Sequence, residues 1–135
     1  MTATLLLKIA SGISLLFAIG HSLGGTKQWS PMGENEVLTS MATVRFDVMG
    51  TSRSYLDFFT GFGWSLSVFL LLQSALLWQL SSLAQSDGHQ ARPMIAMFAV
   101  ATLASTVIAW RLILPLPAIF SAVLLLLMVA AFFKV

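Results

Sequence analysis

The sequence predicts an all-α integral membrane protein, a single domain over 1–135 made of a four transmembrane helix bundle with an amphipathic helix in the first connection. Three observations carry this expectation. Composition is the first: 58% hydrophobic and 9% charged residues, with mean hydropathy +0.91, leave too few charges for a water-facing shell. Second, four apolar stretches at 4–22, 58–83, 93–114 and 117–133 approach the length a membrane requires. A helix rising about 1.5 Å per residue needs about 20 residues to cross a hydrocarbon core about 30 Å thick. The third is punctuation between the stretches: Gly24-Gly25, Asp87-Gly88 and Pro115-Leu116-Pro117.

The first stretch reads as a retained helix rather than a cleaved signal, because it lacks a basic n-region and carries Lys8 inside the apolar run. Ser11, Ser14, Ala18, Ser22 and Gly25 form a stripe of small residues suited to close helix packing, with His21 at its end. The long connection that follows holds a helix signal at Ser30-Pro31, an N-cap residue and a proline at the first helical position. Val37, Leu38, Met41, Val44 and Val48 then fall at helical spacing, opposite Glu36, Ser40, Thr43 and Asp47. An amphipathic helix over 31–49 is expected from this, on the membrane surface or folded over the bundle mouth, and ended by Gly50.

The second span opens on Ser54-Tyr55-Leu56-Asp57, the pattern of a capping box. Gly61-Phe62-Gly63 within it lacks the third glycine and the preceding strand of a nucleotide fingerprint, so it reads as close packing or a kink. The two later connections are short, which makes neighbouring spans antiparallel.

That topology gathers charge at one membrane face. Lys27, Glu34, Glu36, Arg45, Asp47, Arg53, Asp57 and Arg111 fall there, eight of the twelve charged residues, while Lys8, Asp87, Arg92 and Lys134 fall at the other. A charge at hydrocarbon depth costs roughly 2.5 to 3.5 kcal/mol on insertion scales, so such groups pair, face a cavity or serve function. Arg45, Asp47, Arg53, Asp57 and Arg111 are therefore expected to form one polar network at the mouth, continued by Gly61 and Trp64 as a ligand-binding surface. If these arginines are paired internally, Lys8, Arg92 and Lys134 dominate topology and place both termini in the cytoplasm. His21, Glu36 and Asp57 are the candidates for acid–base chemistry. Each residue also has a structural reading: a cap for Asp57, a snorkelling or helix-neutralising role for Arg111, a hydrogen-bonded packing histidine for His21.

Several chemistries receive no support. With no cysteine, disulfides and thiolate chemistry are excluded. The His, Asp and Glu positions show no compact metal-ligand spacing, and no metal or cofactor is expected. A net charge of +2 without a basic stripe argues against nucleic acid. The spans contain no chain of carboxylates of the kind an ion-coupled carrier uses.

The segments Val44-Arg-Phe-Asp-Val-Met-Gly50, Ser52-Arg-Ser-Tyr-Leu-Asp-Phe58 and Gly61-Phe-Gly63 resemble a family of small uncharacterised bacterial inner-membrane proteins with four predicted spans. The likeness covers most of the chain, and its layout is loosely similar to the DoxX-like group. It implies fold and a multi-pass place in the bacterial inner membrane, and no activity. Three functions stay open: a protein holding a lipid-like or isoprenoid ligand in a bundle cavity, a membrane enzyme acting on a lipid or quinone, and a structural or assembly partner, including a homo-oligomer.

Overall fold

The computed structural model describes residues 1–26, 30 and 32–135. Lys27 and Pro31, which belong to the expected charged face and helix start, lie outside the described residues. Four helices are long and apolar enough to cross a membrane, so the chain is a multi-pass membrane protein. They are α1 (Ala3–Thr26), α3 (Tyr55–Ser86), α4 (Gly88–Leu112) and α5 (Pro115–Phe132). Between α1 and α3 come a short helix α2 (Glu36–Thr43) and two strands, β1 (Arg45–Val48) and β2 (Thr51–Ser54). The chain divides into two units, residues 1–17 with 70–135, and residues 18–69.

In the first unit all four long helices contribute to one apolar core. Leu7, Leu77, Leu80, Ile95 and Met128 are almost wholly buried, with Ala10, Ala91 and Ala131 letting the backbones approach. Serines join α1 to α3 here: Ser11 Oγ donates to the Ser74 carbonyl (2.8 Å), Ser74 Oγ donates to the Ser11 carbonyl (2.9 Å), and Ser14 Oγ donates to the Leu70 carbonyl (3.2 Å). Ser11 and Ser14 of the small-residue stripe are thus used within the chain.

Helix α4 starts five residues before the expected Pro93, at Gly88, because Asp87 caps it by accepting from the Gln90 amide (3.1 Å). Pro93 is carried inside the helix. Helix α5 opens with Pro115 at its first turn, where a missing N–H leaves nothing unsatisfied. Cations at two positions lie over rings, Lys8 over Trp78 (5.3 Å) and Arg92 over Phe132 (4.7 Å).

The second unit corrects the expected helix over 31–49. Ser30 is a turn residue rather than the cap, its hydroxyl accepting from the Met32 amide (3.3 Å) and the Asn35 side chain (3.2 Å). Asn35 is the cap, accepting from the Leu38 amide (3.0 Å), and helix α2 lasts only eight residues. Beyond it the chain turns to an antiparallel hairpin, with Arg45 opposite Ser54, Phe46 opposite Arg53, Asp47 opposite Ser52 and Val48 opposite Thr51.

The reason lies in two competing periods. Val44 and Val48 fit a helical stripe, but Val44, Phe46 and Val48 also alternate with Arg45 and Asp47, the two-residue period of a strand. Met49-Gly50 decides between them. Both have positive φ (53° and 75°), the geometry of a two-residue turn whose twist matches paired strands. Gly50 therefore turns a hairpin rather than ending a helix.

Candidate functional site

The hairpin leads directly into α3, so its side chains and the first turns of that helix share one neighbourhood in the second unit. The junction is held by the capping box: Ser54 Oγ accepts from the Asp57 amide (3.0 Å), and the Asp57 carboxylate accepts from the Ser54 amide (2.9 Å). Ser54 is buried while Asp57 is exposed, so the cap is anchored at its serine and presents its carboxylate outward.

Arg53 faces the same region from the end of β2. An open groove of about 320 Å³ runs from it along α3, lined by Arg53, Asp57, Phe58, Gly61, Phe62 and Ser65. Helical spacing explains the lining, because Asp57, Gly61 and Ser65 stand one turn apart and Phe58 and Phe62 form the adjoining row. Gly61 leaves the floor without a side chain, and Ser65 donates to its carbonyl (2.9 Å). Outside the lining Phe46 stands against Tyr55 (5.2 Å) and Phe58 (5.8 Å), and the apolar wall itself is Phe58 against Phe62 (4.9 Å). The last two contacts are edge-to-face, a favoured geometry for phenyl rings.

The groove is polar at one end and apolar along its length. Arg53 donates to the Ser52 carbonyl (2.8 Å), and Arg45 donates to the Ser52 hydroxyl (3.2 Å) and carbonyl (3.1 Å). The bonds described for both arginines thus go to a serine, not to the carboxylates of the expected network. Asp57 still feels both positive charges. Asp47 is exposed on β1, and Arg111 is exposed in the last turn of α4, in the other unit, where a cation complements the helix dipole. Trp64 is exposed and does not line the groove.

Of the acid–base candidates only Asp57 lines the groove. Glu36 is exposed in the first turn of α2. His21 Nδ1 lies 3.0 Å from Ser67 Oγ, and the buried Ser67 hydroxyl also donates to the Gly63 carbonyl (3.4 Å). His21 is thus a hydrogen-bonded packing residue between α1 and α3. Among the described residues no three His, Asp or Glu side chains gather as a metal site.

Phe58, Phe62 and Ser65 are groove residues that sequence reasoning does not assign to the site. Their signal is present as two rows at helical spacing beside Asp57 and Gly61, but in a membrane helix an exposed phenylalanine has a default explanation in lipid contact. Comparison with protein-family models, curated proteins and solved structures found no match to this chain.

Proposed function

We propose that this protein is a lipid-binding membrane protein, holding a lipid-like or isoprenoid molecule in the groove on α3 with its polar head at Arg53 and Asp57. One observation carries the reading: the groove joins a guanidinium and a carboxylate at one end to a row of phenyl rings along α3. That arrangement matches a molecule with a polar head and an apolar tail. The ligand lies on an open face of the second unit rather than in an enclosed cavity. Arg53 suits the polar end because its guanidinium carries five donors and the bond to Ser52 engages one nitrogen.

An enzyme acting on a lipid or quinone draws less support, because Glu36 and His21 stand outside the groove and leave Asp57 without an acid–base partner there. The assembly reading rests on the small residues of α1, and Ser11 and Ser14 are bonded to α3. Kinship with small DoxX-like proteins, a bundle arrangement of the four spans and a place in the bacterial inner membrane belong to the same proposal. So do cytoplasmic termini, which rest on the cations Lys8, Arg92 and Lys134 at the face of the termini.

Native mass spectrometry of the full chain released from membranes tests the function. Retained lipid that falls when Arg53 is changed to alanine is expected. No retained lipid, with identical spectra for Arg53→Ala, would overturn it. A reporter fused after Val135 tests orientation, and activity restricted to the outside of the cell would reverse it.

A further inference from the structure

We propose that the groove selects a zwitterionic phospholipid whose headgroup ends in a primary ammonium, with the phosphate on Arg53 and the ammonium on Asp57. This rests on the lipid-binding reading and adds the headgroup class. Its basis is the sign of the two charges at the polar end. Arg53 and Asp57 both line the groove, both are exposed, and they come from adjoining elements whose geometry the capping box fixes. A surface made for an anionic head would gather cations, whereas the groove's own lining carries one cation and one anion, with Arg45 near enough for Asp57 to feel its charge but outside that lining.

Each group has capacity left for a ligand. The guanidinium offers a fork of donors that fits two phosphate oxygens. The carboxylate offers about four acceptor positions, and the Ser54 amide occupies one of its oxygens. A primary ammonium brings three N–H donors to such an oxygen, while a quaternary ammonium brings none and is recognised by aromatic faces instead. A headgroup with phosphate and no cation, or an isoprenoid diphosphate, would set further negative charge beside Asp57, where like charges repel. The phenyl row of Phe58 and Phe62 continues from the headgroup end and supplies apolar contact for one acyl chain.

The experiment is competition in detergent followed by native mass spectrometry. The full chain is offered equal amounts of phosphatidylethanolamine, phosphatidylglycerol and phosphatidylcholine with the same acyl chains. Phosphatidylethanolamine should be retained about tenfold over the other two, the scale of one charge-assisted hydrogen bond. Asp57→Asn keeps an oxygen for the Ser54 amide but removes the charge, and should abolish the preference over phosphatidylglycerol. Asp57→Glu should keep it. Arg53→Gln should lower retention of all three lipids. Excess glycerophosphoethanolamine, the same headgroup without chains, should displace nothing, and displacement would mark the site as one for a soluble phosphate ester. Equal retention of the three lipids, or preference for phosphatidylglycerol, would overturn the headgroup assignment and leave the lipid groove standing. Retention of no lipid in any arm would overturn the groove itself.

Discussion

The two units are held together by different physics. In residues 1–17 with 70–135, large apolar side chains interlock, and Leu7 and Ile95 are 0% exposed. Among the described residues of 18–69 the buried ones are small, namely Ala18, Ser54 and Ser67, and no large side chain is buried, with Phe62 at 64% and Val48 at 57% exposed. Order there comes from hydrogen bonds: a side-chain cap on α2, a capping box on α3, and a hairpin closed by a tight turn. A unit organised this way can keep charged and aromatic groups at its surface without dissolving its fold. The packed unit has no such latitude, because a polar group moved into its core would lose its partners.

The comparison is tested most sharply by truncation. Leu77→Ala should lower stability by roughly 2 kcal/mol, near the low end of the soluble range because lipid is as apolar as the core and only packing is lost. Phe62→Ala, a larger truncation, should cost only about 0.5 to 1 kcal/mol, the worth of its edge-to-face contact with Phe58, since its ring stands outside any core. Unfolding in mixed micelles measures both, and an equal cost would erase the distinction between the units.

Next in size is Ser54→Ala, which removes the hydroxyl half of the capping box and should cost about 1 kcal/mol. Helix α3 should fray at its first turn, seen as faster amide exchange at Asp57, and unchanged exchange would show that the hairpin alone holds the junction. Ser74→Ala should cost about 0.6 kcal/mol, the average for interhelical hydrogen bonds in membranes. A loss as large as that of Leu77→Ala would mean the first unit also depends on hydrogen bonds. The smallest expected effect is a gain: Met49 holds φ 53°, where asparagine is favoured. Met49→Asn should stabilise the hairpin by about 0.5 kcal/mol, and a loss would show that the exposed methionine has a packing partner.

Half of the candidate site is legible in the sequence. Asp57 and Gly61 fall on one face because a capping box and helical spacing are local rules, and both hold, whereas Arg53, expected one helical turn before Asp57, belongs to β2 and meets the groove from the hairpin. The phenyl wall is not legible, since Phe58 and, through it, Phe62 acquire meaning only once the hairpin folds Phe46 against Phe58. The helix expected over 31–49 fails for a related reason. Val44 and Val48 satisfy two periods at once, and the turn at Met49-Gly50 carries methionine where the turn code expects asparagine or aspartate.

The sequence alone determined that the chain crosses a membrane and with how many helices, because transfer from water to hydrocarbon depends on length and composition, which are additive along the chain. It also determined the start of α3 and the fate of several helix hydroxyls, since caps and hydroxyl bonds such as Ser65 to Gly61 and Thr106 to Thr102 reach three or four residues at most. Only the tertiary structure decided the rest. The bond from His21 to Ser67, the ring contact of Phe46 with Phe58 and every β1–β2 pair except Val48 with Thr51 join residues that lie further apart in sequence than one helical turn. Local propensity is silent about such contacts.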